Sequence, residues 1–395
     1  MKRILFVFST LFITLSFMTG CLQRTELNEL GMVAGLGIDK EENGYTVTAQ
    51  ILNPAALANN SGSTPVYSLK ATGQSMSEAF SRIDQMSTTT LFLAHLDVIV
   101  VNEAMAEAGI NPVLNFALRH TDIRPDINIA VAKGTSANHI LNVLPDAYNP
   151  PVASLDVSTN MAFEDTSRLV DINLFETIDM VNSPGIQLVL NAVRVHHETD
   201  ENQSEEEDGK SDNTQAITSN AQLRMDSLAV FDGEKIIGFI DDEQAQLYNI
   251  LIGNHKRYIF NTVVDDEYYF ATEIVTTKTK IKTELENNKA FITVDLSALI
   301  VENAYNIDLT KQDNLNTMAE YLTNKLTRDF KEFIYVLQHE FKADIIGIGG
   351  KAYYQNNRLW EEKQGYWDEL FPELDIYVEL NFVIDSVGEV GNVSL

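Results

Sequence analysis

Cysteine is almost missing from this chain, with one residue, Cys21, among 395. A disulfide framework and a thiolate metal site are therefore excluded, and the fold must hold by packing alone. Basic residues are scarce against acids, 28 Lys and Arg facing 57 Asp and Glu, for a formal net charge of −29. Such a chain is repelled by a phosphate backbone, so no nucleic acid is expected as a partner. It gains nothing from an anionic lipid surface either. Beyond residue 20 no apolar run reaches the ~20 residues that a membrane-spanning helix needs. The local signatures of catalysis are lacking as well, with no G-x-S-x-G, no H-E-x-x-H and no P-loop. No enzyme activity, cofactor or metal is expected from these residues.

What is present starts with Lys2 and Arg3, then an apolar run from Ile4 to Met18 broken only by Ser and Thr, then Thr19-Gly20-Cys21. At about 15 residues the run is too short to span a bilayer and has the layout of a secretory signal peptide, here residues 1–20. Apolar, small, Gly and Cys in that order resemble the lipobox of bacterial lipoproteins, with Met18 where Leu is commoner. The resemblance implies that Cys21 receives a diacylglyceryl group, that the bond before it is cut, and that Cys21 becomes the mature N-terminus. An ordinary secreted protein with a stray cysteine is the alternative. Removing Lys2 and Arg3 makes the mature chain still more acidic, so membrane residence has to come from the lipid. Two acyl chains suffice, each buried methylene contributing about 0.8 kcal/mol.

At 395 residues the chain exceeds the size at which one core keeps growing, so several domains are expected. A hairpin is read at 33–38 and 44–52, a strand at 66–71, and a capped helix opening at Ser75 and Glu78. Asp97 to Val101 is nearly continuously apolar, as in a strand covered on both faces. Pro112 opens a helix, Ile127 to Ala132 is a further strand, and Pro145, Pro150 and Pro151 mark a boundary. The fold class expected is α+β, three consecutive mixed units over 21–148, 149–254 and 255–395, each a sheet packed with helices. Helices are predicted at 152–163 and 168–180, and strands at 186–195, 222–231 and 235–240. The intervening 198–213 holds eight acids, one Lys and no apolar residue, an insertion unable to bury a core. A helix follows over 241–251. The last third carries long strands at 268–285 and 290–301, a long amphipathic helix at 314–341 and a closing strand at 375–384.

Candidate chemistry is sparse. His196-His197 would point to opposite faces of an extended chain, which disfavours a shared metal. Asp265-Asp266-Glu267 reads as a turn. Gly35-Leu-Gly37 and Gly347-Ile-Gly349-Gly350 lack the third spacing and the following helix of a dinucleotide fingerprint. Lys278, Lys280 and Lys282 alternate on one strand face, read as solvated edge protection rather than an anion site. Arg82, His95, Asp97, Arg119, Asp122 and Arg124 surround the buried strand, and charges there are costly unless paired. They are expected to form a network holding the first unit together, with ligand binding as the alternative for Arg82, His95, Arg119 and Arg124.

One resemblance covers essentially the whole mature chain. It runs from Gly20-Cys21 through Gly37-Ile38-Asp39, Asn53-Pro54, Phe80-x-Arg82, Ala94-His95 and Phe116-x-x-Arg119 to Ile123-Arg124-Pro125. It continues through Ala229-Val230-Phe231, Lys235-x-x-Gly238, Asp344-x-x-Gly347-x-Gly349, Trp360, Trp367 and Phe371-Pro372. In that order these residues resemble the Ger(x)C lipoproteins of bacterial spore germination. Leu22, where an aromatic is common, and the charged 198–213 insertion depart from the pattern. The resemblance implies three mixed α/β units and a non-enzymatic C subunit of a nutrient germinant receptor. That subunit would be lipid-anchored on the outer face of the spore inner membrane beside an A subunit and a permease-like B subunit. Only Cys21 carries over with a defined role. A solute-binding lipoprotein, with a cleft between two lobes, is the runner-up, and a surface hydrolase is disfavoured by the missing motifs.

Overall fold

In a computed structural model of the chain the described residues are 30–52, 66–143, 166–197, 221–254, 258–264, 268–303, 309 and 311–386. Cys21, the proline-marked boundary, the helix expected at 152–163 and the acidic 198–213 segment lie outside them.

The hairpin forms as read, β1 (Leu30–Glu41) antiparallel to β2 (Gly44–Leu52) with Glu41 opposite Gly44. β3 (Val66–Gly73) pairs with β2. Ser75 caps α1 (Met76–Met86) by accepting from the Glu78 amide, and the Glu78 carboxylate accepts from the Gln74 amide. β4 (Thr90–Phe92) and β5 (Val98–Asn102) run parallel to β1; α2 (Glu103–Ala108) and α3 (Asn111–Arg119) lead to β6 (Asn128–Ala132) and α4 (Ala137–Asn142). Alternate residues of these strands serve opposite cores. Leu36, Ile99, Val101 and Val131 pack with residues of α1 and α3, whereas Ala34, Val98, Val100 and Ala130 pack with Ile140 and Leu141 of α4. Burial on both faces is why β5 reads as an unbroken apolar run.

After residue 166 the chain returns to the same sheet. α5 (Leu174–Asn182) precedes β7 (Val189–His197), which pairs parallel with β6, and β8 (Ala221–Asp232) and β9 (Lys235–Asp241) extend the sheet by antiparallel pairing. The strand order is β3-β2-β1-β5-β6-β7-β8-β9, with β4 beside β1. This corrects the expectation of one sheet per unit: strands from 21–148 and from 149–254 share nine-stranded pairing, and the described strands form two sheets rather than three. A parallel partner needs a long crossover, and prolines interrupt such a connection without ending the sheet it rejoins. The helix expected from 168 begins only at Leu174. Asn173 and Glu176 close a reciprocal capping box there, and Asn173 bridges Asn128 while still extended.

Asp241 caps α6 (Asp242–Ile252). The second sheet orders β10 (Tyr258–Val264), β11 (Tyr268–Glu284), β12 (Lys289–Asn303) and β13 (Asp375–Ser386), the last pair parallel. Lys278, Lys280 and Lys282 are exposed and Ile281 is buried behind them, as the alternation predicts. β10 covers β11 only as far as Ile274; beyond it Gln355 takes up the open edge, accepting from the Thr283 amide and donating to the Ile281 carbonyl. α7 (Gln312–Val336) buries Met318, Leu322, Leu326, Phe330 and Phe333 at helical spacing, and α8 (Ile348–Gln355), α9 (Asn357–Lys363) and α10 (Trp367–Leu370) complete the layer.

β7 and β8 form the wall between two cores. Leu188, Leu190, Ala229 and Phe231 belong to the first, and Val189, Leu228 and Val230 belong to the core that includes Ile292, Leu326 and Trp360. Each such side chain contributes roughly 1.5–3 kcal/mol on burial, so these strands tie both sheets together.

Candidate functional site

Arg82, His95, Arg119 and Arg124, singled out in the sequence, do not share a network. Arg82 pairs with Glu78 at 2.6 Å within its own helix and donates to the Thr72 carbonyl, while Arg124 pairs with Asp126 at 3.2 Å. Exposed His95 meets the edge of Phe92, and exposed Arg119 sits in the last turn of α3. No hydrogen bond or ion pair joins these four side chains to one another. This corrects the expected network for these four residues: helix and turn spacing supplies near neighbours, and local pairs order fewer torsions than long-range ones. Arg82→Ala should therefore change the free energy of unfolding by less than about 1 kcal/mol in urea titration. A loss of several kcal/mol would mean that Arg82 supports more than its own helix.

The buried carboxylates lie elsewhere. Asp39 accepts from the Ala137 amide at 2.7 Å and the Asn138 amide at 3.0 Å, anchoring the start of α4. Burial pushes its carboxyl above the ordinary range against those two donors. A cleft of about 770 Å³ gathers Lys133, Arg168, Arg194 and Arg224, but acids answer them. Arg194 donates to Asp226 at 2.9 and 3.0 Å and holds that carboxyl below its usual range, and Arg168 pairs with Asp242 at 3.2 Å. Lys133 stands over the Phe239 ring.

The joint between the sheets is built on Asp344, which is 3% exposed. One carboxylate oxygen accepts from the Gly347 and Ile348 amides at 2.9 and 3.0 Å, the other from the Gly349 amide at 2.8 Å and the Trp367 indole at 3.2 Å. Despite four donors, burial pushes its pKa up to about 6. Of the glycines read as a weak fingerprint, Gly347 does precede a helix and Gly349 and Gly350 lie in the first turn of that helix, α8, but they serve packing. The Gly350 amide donates to the Gly185 carbonyl at 2.8 Å, the Gln187 amide donates to the Asp344 carbonyl, and Trp360 and Trp367 stack edge-to-face beside them.

Beside this joint runs a groove of about 470 Å³ between α5 and α8. Ile172, Ile186, Ile281 and Ile346 supply apolar walls, Tyr248 of α6 adds a phenol, and Asp171, Glu176 and Asp179 stand along one side with Lys351 on the other. The sequence reading missed this groove because its walls come from segments over 170 residues apart. Among the described residues no group of three or more His, Cys, Asp or Glu is placed to hold a metal ion, and no helix is long and apolar enough to cross a membrane.

Comparison with known proteins agrees with the fold. A family model described as spore germination protein N-terminal domain matches residues 23–195, and one described as spore germination B3/GerAC like, C-terminal, matches 226–388. Spore germination protein B3 of Bacillus subtilis (strain 168) is 24% identical over 392 residues, covering 97% of this chain and 98% of that protein. Spore germination protein KC of the same organism is 25% identical over 384 residues, 93% of this chain and 92% of that protein. The crystal structure of the GerBC protein superposes with a TM-score of 0.56 at 21% identity, over 89% of this chain and 97% of that one, so the mixed sheet-and-helix architecture is shared. With both halves matched in order from residue 23 to residue 388, the chain belongs to the Ger(x)C family of spore germination proteins.

Proposed function

We propose that this chain is the lipid-anchored, non-enzymatic C subunit of a nutrient germinant receptor. A diacylglyceryl group on Cys21 holds it on the outer face of the spore inner membrane, beside an A subunit and a permease-like B subunit, where it serves assembly and signalling. The observation that carries this reading is the match of both family models, in order, along nearly the full chain. The buried carboxylates support a scaffold: Asp39 and Asp344 have their oxygens occupied by backbone and indole donors. A solute-binding lipoprotein is the second reading, favoured by the groove at the joint between the sheets.

Cys21→Ala tests the anchor. The variant is expected to move from the membrane to the soluble fraction and to leave spores defective in nutrient-triggered germination, since nothing in an acidic chain replaces the acyl chains. Unchanged membrane retention and germination would contradict the reading. Detergent-solubilised pull-down from spores then separates the two functions. Recovery of a permease-like protein and a second membrane subunit supports the receptor, and recovery of this chain alone with a bound small molecule supports solute capture.

A further inference from the structure

We propose that the groove between α5 and α8 is a docking site for a protein segment carrying apolar side chains flanked by Lys or Arg. Four observations converge on that occupant. Apolar walls from Ile172, Ile281 and Ile346 call for apolar side chains. Tyr248, 1% exposed, contributes to the wall, and its hydroxyl makes no hydrogen bond to any described residue. A phenol hydroxyl that faces the groove and donates to no described group is free to meet an acceptor such as a peptide carbonyl. Burial also pushes its ionisation upward, so it stays a neutral donor.

Charge decides the sign of the partner. Among the described residues Asp171, Glu176 and Asp179 line the groove with Lys351 as their one basic counterpart, on a chain of net charge −29. An acidic segment or an anionic membrane would be repelled here, whereas Lys or Arg side chains beside the apolar anchors would be steered in. Size favours a polypeptide over a small solute. Tyr354, which lines the groove, stands 84% exposed and carries apolar surface beyond its walls, and aromatic residues of this kind are enriched among interface hot spots. The inference rests on the groove and holds whether or not the partner is a receptor subunit.

The test is site-specific photo-crosslinking in intact spores with the full-length chain. Tyr354 is replaced by p-benzoylphenylalanine, with the same replacement at Tyr67, 40% exposed on the edge strand β3, as the control. Adducts are excised and both peptides sequenced. The expected result is an adduct at 354 and not at 67, whose partner peptide combines apolar residues with two or more Lys or Arg. Its yield should fall about tenfold with Asp171→Lys and Asp179→Lys together and recover with Glu at both positions. Tyr248→Phe should lower the yield about threefold without lowering the melting temperature, because only an outward hydrogen bond is lost. No adduct at 354, an acidic partner peptide, an adduct to lipid or small molecule only, or a yield indifferent to charge reversal would each overturn the proposal. Asp171 and Asp179 are exposed, and an unchanged melting temperature for the Lys variants excludes misfolding.

Discussion

Asp344→Asn is expected to lower the free energy of unfolding by about 2–4 kcal/mol at pH 5, and by less at pH 7.5. Every partner of the Asp344 side chain is a donor: the Gly347 and Ile348 amides on one oxygen, the Gly349 amide and the Trp367 indole on the other. At pH 5 the wild-type carboxyl is itself mostly protonated, but its hydroxyl oxygen can still accept, whereas the amide nitrogen of Asn cannot; the buried N–H groups that face the NH₂ lose that acceptor, at about 1–3 kcal/mol each. The pH dependence follows from burial, the largest influence on this carboxyl, which raises its pKa from 3.8 to about 6. A folded state that holds its proton more tightly than the unfolded chain is most stable below the unfolded value, and that stability is lost as pH rises through the folded one. Between pH 5 and pH 7.5 the wild-type chain should lose on the order of 1 kcal/mol from this group, while the Asn variant, with nothing to titrate there, loses none of it. The gap between the two therefore narrows toward neutral pH. Urea titrations of both chains on an unacylated Cys21→Ala background give the difference directly and cancel the effect of the other acids. A gap that widens with pH would show that the four donors and the N-terminus of α8 outweigh burial.

Local structure was legible in the sequence wherever one element satisfied its own pattern. Ser75 and Glu78 announced α1, alternation announced β1 and β2, and the i, i+4 series Met318, Leu322, Leu326, Phe330 announced α7. The two-sided apolar run of β5 even reported that helices cover both faces of the sheet. What periodicity cannot carry is which strand a strand will meet. The parallel pairing of Val131 with Ala192 joins residues on either side of the prolines, and no local signal distinguishes that from a new sheet. Short elements escaped for a related reason. α8 begins Ile-Gly-Gly, poor helix formers, and forms because Asp344 takes up its first amides. The same limit explains the site. Arg82 and Arg124 stood out as charges near a buried strand but were answered by neighbours a turn away. Tyr248 and Asp344, which matter more at the joint, are unremarkable until segments far apart in sequence enclose them.

Gly185→Ala should be among the most damaging single-methyl additions to the chain, costing about 3–5 kcal/mol, while Gly233→Ala should cost only about 1–2 kcal/mol. Both glycines have positive φ, +70° and +57°, so both substitutions carry the left-handed penalty of an L-residue. They differ in what a methyl would meet. At Gly233 nothing lies within 4 Å of the new carbon. At Gly185 it would stand 2.5 Å from the Gly349 carbonyl carbon and 2.5 Å from the Trp360 ring, closer than any real methyl contact. Neither neighbour can yield cheaply: Gly349 is fixed by its bond to Asp344, and Trp360 is 1% exposed. The segment before β7 must therefore back away from α8, weakening the Gly350–Gly185 hydrogen bond and loosening the wall strands where the two cores meet. The chain's two tryptophans are both buried at this contact, so their emission reports it without a label. Gly185→Ala should shift that emission to the red before global unfolding, and Gly233→Ala should not. Equal stability losses and unshifted spectra for the two variants would mean that the close approach of Gly185 to Gly349 is not what holds the sheets together.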